Sequence, residues 1–400
     1  MLKNLKKIKN NGFVFSVYII SIFFIRNIVN FVSVILPIYN NVILIKSYNG
    51  KELSCNPKYL LNYLYHKENK KLKFILVLNE FELQKNEYDK LKVVKNKSLK
   101  YYWSYLTSKY IIINDFFNIY LPQRTGQIYI NTWHGGGAYK KVGYSLKGNL
   151  SYFKKLYYKW THNCNYMISS SIETTKAFIE SFDLKENQIL NIGMPRNDLF
   201  FYKEKIEKAN RIIREKYNLN NDECVILYAP TWRDDSREII NEISELKVLN
   251  AFEKMSNEKA TILIRAHYNT KNYNIDSNCI DVTDYPDMQE LLCAADILIT
   301  DYSSCMWDFS LMYKPCFIYA TDIDQYKQDR DFYTPMSEWP FPIATNNDEL
   351  INNIVNFNEE EYIEKVKKHH MALGSYEDGH ACERVCKLIE NIIDGKVQKQ

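Results

Sequence analysis

The sequence predicts an α/β protein made of two Rossmann-like halves, and three observations predict it. Short apolar runs that read as strands alternate with helical segments along most of the chain. Several of these runs are apolar at nearly every position, the pattern of a parallel sheet covered on both faces. The alternation stops once, at a charged helical stretch over 202–217, and then restarts. Composition agrees: 400 residues, 46% apolar and 25% charged, hold ample material for two cores. That excludes a disordered chain, a disulfide miniprotein and a collagen-like fibre.

Taken in order, the chain opens with Lys3, Lys6, Lys7 and Lys9 ahead of an apolar stretch from Phe13 to Ile38. Arg26, Asn27 and Asn30 break that stretch, and its uninterrupted part, Phe13–Ile25, is 13 residues long, short for a spanning helix. A helix lying in a membrane interface, with lysines on anionic headgroups, is the expectation for 1–40. A true span and an ordinary buried helix are the alternatives. Strands follow at 42–45, 74–78, 93–94, 110–113, 127–130, 166–168 and 189–192, with helical segments at 56–64, 98–107 and 172–182. They make a first domain over 41–205. After the connector, strands at 224–228, 261–264, 279–282, 297–300 and 316–319, with helices near 286–294 and 304–313, make a second over 206–400. Nine cysteines without a C-x-x-C pair sit inside these apolar runs and read as small buried hydrophobes of a reducing compartment.

Net charge is only +4, but residues 1–110 carry 19 basic and 6 acidic side chains, net +13, leaving −9 for the rest. A basic front half points to a polyanionic partner or an anionic membrane surface. No nucleic-acid recognition motif accompanies the charge, so nucleic acid is not an expected partner.

The informative polar residues fall at the C-terminal ends of predicted strands, where open α/β sheets bind ligands. After 127–130 comes Asn131-Thr132-Trp133-His134-Gly135-Gly136-Gly137. His134 is a candidate general base or a satisfied histidine in a glycine turn, and Gly135 and Gly136 let backbone approach a ligand. Lys140 and Lys141 either hold phosphate or are solvated. In Gly193-Met194-Pro195-Arg196-Asn197-Asp198, Arg196 either forks onto phosphate or pairs with Asp198. In Ala229-Pro230-Thr231-Trp232-Arg233-Asp234-Asp235, Arg233 reads as an anion ligand; Trp232 stacks a base or plugs a core, and two carboxylates alone are weak grounds for a metal. Arg265 and His267 alternate onto one side of an extended segment and suit a pyrophosphate. The most specific string is Thr300-Asp301-Tyr302-Ser303-Ser304-Cys305-Met306-Trp307-Asp308, a buried strand running into a helix whose N-terminal serines either cap it or help hold a phosphate. There is no Walker lysine and no G-x-G-x-x-G, so P-loop and dinucleotide readings fail. Asp322-Ile323-Asp324 is a weak D-x-D match.

Five of these strings, W-H-G-G-G, G-M-P-R-N-D, L-Y-A-P-T-W-R-D, R-A-H and T-D-Y-S-S-C-M-W-D-F-S-L-M-Y-K-P, resemble in order and spacing the CDP-glycerol glycerophosphotransferase family of bacterial teichoic-acid and capsule polymerases and primases. The likeness runs over about 42–385 and takes in Asn56-Pro57-Lys58 and Tyr376-Glu377-Asp378-Gly379. It implies a GT-B fold, two Rossmann-like domains facing a central cleft, with the CDP-linked polyol donor on the C-terminal domain and a polyanionic glycan or lipid-linked acceptor on the N-terminal one. It implies catalytic roles for His134 and His267, and makes Ser303 and Ser304 diphosphate ligands; the reading of the residues themselves adds Thr231, Arg233, Arg265 and Asp301 as donor-side candidates. Gly135, Gly136, Lys140 and Arg196 fall on the acceptor side of the cleft. No cofactor or metal is required by this inventory. One departure stands out: the family usually carries Thr-Pro-Leu after W-H-G, and this chain has Gly136-Gly137-Ala138-Tyr139. It leaves the acceptor and the transferred group open, with a glycosyltransferase or sugar-phosphate transferase using another nucleotide-linked donor as the rival reading. A membrane-surface assembly factor without chemistry is the non-enzymatic rival, and the retained histidines and serines speak against it.

Overall fold

The computed structural model describes residues 12–67, 72–80, 91–146, 150–231, 243–256, 258–266, 279–329 and 331–396. Arg233, Trp232, Asp234, Asp235 and His267 lie outside them.

The chain begins with α1 (Gly12–Ser33), then β1 (Tyr39–Lys46), α2 (Cys55–His66), β2 (Lys73–Leu78), β3 (Lys92–Lys95), α3 (Leu99–Thr107), β4 (Ser108–Ile113), β5 (Ile128–Asn131), α4 (Tyr152–His162), β6 (Tyr166–Ser169), α5 (Ile172–Phe182) and β7 (Ile189–Asn191). These strands form one parallel sheet in the order β3-β2-β1-β4-β5-β6-β7. The charged helix α6 (Lys203–Tyr217) leads to the second half. There β8 (Cys224–Ala229), α7 (Glu245–Ser256), β9 (Ala260–Ile264), β10 (Cys279–Asp281), α8 (Met288–Ala294), β11 (Ile297–Thr300), α9 (Cys305–Ser310), β12 (Cys316–Tyr319), α10 (Ile323–Asp329) and β13 (Ile343–Ala344) follow. The second sheet is also parallel, in the order β10-β9-β8-β11-β12-β13. Strands β4, β8, β11 and β12 are buried at every position, which is why their sequences are almost continuously apolar rather than alternating.

Three helices close the chain: α11 (Asn347–Val355), α12 (Glu359–Leu373) and α13 (Ala381–Ile393). The last departs from a simple division at residue 206. Cys382, Val385, Cys386 and Ile389 of α13 pack with Ile43, Ile45, Leu60, Leu61 and Tyr110 on the first sheet's side. Asp198 accepts hydrogen bonds from the backbone N–H groups of Ala381 (2.9 Å) and Cys382 (2.8 Å), so a carboxylate from the first half holds the N-terminus of this helix. All nine cysteines are free thiols.

Helix α1 runs through Arg26 without a break, for 22 residues. Phe15, Ile19 and Ile22 are spaced to share one face and are buried against Phe153, Leu156, Tyr157 and Trp160 of α4. Arg26 lies towards the protein: its Nη1 donates to the carbonyls of Ile119 (2.8 Å) and Leu121 (2.9 Å), and its guanidinium sits 5.0 Å from the Trp160 ring centroid. The remaining surface of the helix leaves Phe13, Val17, Ile20, Phe24, Ile28 and Phe31 exposed. The helix is long and apolar enough to cross a membrane by length and composition.

Candidate active site

In an open parallel sheet the ligand crevice forms beyond the strand C-termini where the strand order reverses. The first sheet reverses between β1 and β4, the second between β8 and β11. The loops leaving those points carry Ser47–Tyr48, Asn114–Asp115 and, one strand over, Thr132–His134; opposite them are Pro230–Thr231 and Asp301–Ser304, with Arg265 beyond the neighbouring β9. The two groups meet. A Cβ placed on Gly135 would lie 3.2 Å from Ser304 Oγ, and one on Gly136 would lie 2.3 Å from the Trp307 ring. Glycine is needed here because the backbone of one half rests on side chains of the other.

His134 is held tightly. At the end of β5, Asn131 Oδ1 accepts from Trp133 N–H (2.9 Å), which holds Trp133 in a left-handed conformation (φ 51°). The Trp133 indole then stacks on the imidazole (4.7 Å, 27°) and packs against Phe178 and Phe182. His134 Nδ1 lies 2.7 Å from the Asn114 carbonyl oxygen. A carbonyl only accepts, so Nδ1 carries the proton and Nε2 keeps its lone pair. Burial lowers the pKa from 6.5 to about 4; the Asn114 carbonyl opposes this, and the Arg196 and Lys140 cations add to it. The imidazole is therefore neutral at pH 7, in the protonation state and tautomer of a general base.

On the opposite wall, Asp301 is fully buried and accepts from Thr231 N–H (3.0 Å) and Thr231 Oγ1 (2.7 Å). It ties the end of β11 to the end of β8, so these two residues shape the loops. Ser303 Oγ accepts a long bond from Cys305 N–H (3.4 Å), whereas Ser304 occupies the N-cap position without a side-chain cap. Both serines are half-buried at the cleft. The Arg265 guanidinium, also half-buried, has Met288 Sδ as its hydrogen-bond neighbour (3.3 Å) and no carboxylate within ion-pair distance among the described residues. A cation so placed suits an anionic ligand.

Arg196 corrects the expectation of a cleft cation that takes phosphate or pairs with Asp198. It is 3% exposed. Its Nη2 pairs with Asp308 Oδ2 at 2.8 Å, and its Nη1 donates to the His134 carbonyl at 2.8 Å and meets Cys55 Sγ at 3.1 Å. Asp308 also accepts from Gln289 Nε2 (3.2 Å). Arg196 thus links the histidine loop to the helix that follows the two serines. Nor do all the glycines offer N–H groups to an anion: Gly137 N–H donates to Ser170 Oγ (3.2 Å). Lys141 is paired with Asp331 (2.8 Å), while Lys140 is half-buried and bridges to Phe332 through its backbone. Asp322 Oδ1 accepts from the Tyr302 hydroxyl (3.1 Å), and no group of three metal-ligating side chains gathers among the described residues.

The sequence matches the family described as CDP-Glycerol:Poly(glycerophosphate) glycerophosphotransferase over residues 28–391. The chain belongs to that family. Its members are phosphotransferases, and the relatives bear this out. A teichoic acid glycerol-phosphate transferase of Staphylococcus aureus (strain NCTC 8325 / PS 47) is 31% identical over 87% of this chain and 92% of its own length. A teichoic acid poly(glycerol phosphate) polymerase of Staphylococcus epidermidis is 32% identical over 88% of this chain. The chain spans about half the length of that polymerase (50%). Among solved structures, the wall teichoic acid polymerase TagF, in a variant soaked with CDPG, superposes with a TM-score of 0.79 at 31% identity, covering 90% of this chain and 91% of that one. The fold is accordingly GT-B-like.

Two residues of the site, Asn114 and Tyr48, escaped the sequence reading, and two more, Asn56 and Glu377, stood in matching strings without a role. Asn114 and Tyr48 follow buried strands β4 and β1, the same signal that exposed His134, but neither lies in a memorable string. Asn56 donates through Nδ2 to the carbonyls of Thr132 and Trp133 (both 2.9 Å) and accepts from Arg196 N–H (3.0 Å). Glu377 accepts from Met194 N–H (3.0 Å), Asn197 Nδ2 (3.0 Å) and Trp307 Nε1 (3.1 Å), joining both halves, and burial raises its carboxyl to about 8. Replacing Asp308 with alanine leaves a buried guanidinium without its anion and is expected to cost about 3–5 kcal/mol. The melting midpoint of the full chain measures this; an unchanged midpoint contradicts the pairing.

Proposed function

We propose that this protein transfers a polyol phosphate, glycerol phosphate first among candidates, from a CDP-linked donor to a hydroxyl of a teichoic-acid-like or capsular polymer or a lipid-linked glycan. The observation that carries the reading is the neutral, Nδ1-protonated His134 set across the cleft from Ser304 and Arg265. An acceptor hydroxyl oxygen attacks the phosphorus that bears the polyol. The new P–O bond forms as the bond to CMP breaks, CMP leaves with the electron pair, and the acceptor proton passes to His134 Nε2. Arg265, Ser303 and Ser304 hold the diphosphate, with His267 and Arg233 expected to join them. Catalysis is then mostly positioning, with fixed groups stabilising the charge that develops in transfer. The names of the S. aureus and S. epidermidis relatives favour glycerol as the polyol; a ribitol-phosphate primase of Bacillus spizizenii at 27% identity keeps ribitol in the comparison.

We further place the protein on the cytoplasmic face of the membrane. The exposed apolar side of α1 and the +13 charge of residues 1–110 together suit an anionic lipid surface, a polyanionic acceptor, or both.

Purified protein incubated with CDP-glycerol, CDP-ribitol or UDP-sugars and a glycan acceptor is expected to release CMP from a CDP-polyol. Release of UDP alone would sink the phosphotransfer reading. His134→Ala is expected to lower turnover about 10²–10⁴-fold, and near wild-type turnover would remove the base assignment. Full-length protein is expected to sediment with phosphatidylglycerol vesicles and to lose most of that binding in the double substitution Phe24→Glu, Phe31→Glu. Equal sedimentation of both proteins contradicts the membrane placement.

A further inference from the structure

We propose that Tyr48 is a catalytic residue whose hydroxyl donates a hydrogen bond to the phosphoryl group in transfer; this rests on the phosphotransfer reading above. Tyr48 follows β1 at the switch point of the first sheet, where a ligand crevice forms. Its backbone is held in an unfavourable shape: Tyr48 (φ 42°), Asn49 (φ 56°) and Gly50 (φ 81°) are three successive left-handed residues, two of them with side chains. The surroundings enforce that shape. Tyr48 N–H donates to Asn114 Oδ1 (2.9 Å), Gly50 N–H to the Ser47 carbonyl (2.8 Å), Asn79 N–H to the Gly50 carbonyl (2.6 Å), and Asn96 Nδ2 to the Asn49 carbonyl (2.8 Å).

Core packing does not explain the strain, because 37% of Tyr48 stays exposed. What the turn achieves is placement. The ring meets His134 edge-on at 5.9 Å between centroids. One residue orients both partners, since Asn114 receives Tyr48 N–H on its side chain and the His134 imidazole on its carbonyl. The hydroxyl faces the Cys55 thiol and lies in the field of two cations, Arg196 on its own half and Arg265 on the opposite wall. A phenol ordinarily keeps its proton well above neutral pH, and partial desolvation beside Cys55 raises this one further. Tyr48 is therefore a neutral hydrogen-bond donor whose ring borders His134 and whose phenol feels the Arg265 cation. In the transfer proposed above, Arg265 holds the phosphoryl group while the acceptor gives its proton to His134, so the group lies beside both residues that Tyr48 adjoins. The phenol keeps its own proton throughout, so the proton balance of the transfer is unchanged.

Tyr48→Phe removes only the hydroxyl and keeps the ring against His134. In the full chain, CMP release measured against CDP-glycerol concentration is expected to show kcat lowered about 100-fold, the scale of losing one transition-state donor. KM and the calorimetric Kd for CDP-glycerol are expected to change less than about threefold, and the melting midpoint not at all. A kcat within about twofold of wild type, a loss confined to KM, or a fall in kcat that accompanies a lowered melting midpoint would each make the hydroxyl structural and overturn the assignment. If wild-type protein turns over a different nucleotide-linked donor, the phosphotransfer reading fails on that result, and the same kcat comparison run on that donor judges Tyr48 separately.

Discussion

The pairing of Arg196 with Asp308 joins the two halves of the molecule at the point where they must be in register. Taking both ions out of water costs several kcal/mol each, and only good geometry with further hydrogen bonds recovers it. Here the arginine also donates to the His134 carbonyl and the aspartate also accepts from Gln289. The position of the histidine loop is thereby fixed from the helix that follows Ser303 and Ser304. Glu377 repeats the device from a third segment, gathering Met194, Asn197 and Trp307 around one buried carboxyl. Lys58 adds a more exposed link, paired with Asp287 at 2.5 Å and Glu290 at 3.0 Å across the same junction.

This junction gives a physical reason for the departure from the family's usual W-H-G-Thr-Pro-Leu string. A side chain at Gly136 would collide with the Trp307 indole, which in this chain lies against the loop and donates to Glu377. Gly137, at φ 78°, leaves no room for a Cβ beside the Tyr139 ring. The glycines thus serve the approach of one half to the other. The His134 imidazole is untouched by the change, because its orientation comes from Asn114 and Trp133.

Much of the fold was readable because buried parallel strands write themselves as apolar runs. The fully buried β4, β8, β11 and β12 all lie where those runs fall. The two-residue β13 was invisible, since two residues hold no pattern. So was the return of α13 to the first sheet, a tertiary choice that an amphipathic helix does not declare. His134, Ser304 and Arg265, singled out because polar residues after strand ends line the crevice, do lie on the loops beyond those strand ends. Arg196 was misjudged because a guanidinium reads alike whether its anion is a ligand or a buried Asp308 distant in sequence. The partners of Arg26 were likewise invisible: it interrupts the apolar string, and its guanidinium turns inward to the carbonyls of Ile119 and Leu121.

The chemistry assigned to this cleft depends most on one proton, the one on His134 Nδ1. Nitrogen-15 NMR of the imidazole through a pH titration locates it directly. The expected spectrum shows the Nδ1–H tautomer at pH 7, with the ring taking up a second proton only near pH 4. An Nε2–H tautomer, or a midpoint at the ordinary histidine value near 6.5, would contradict it.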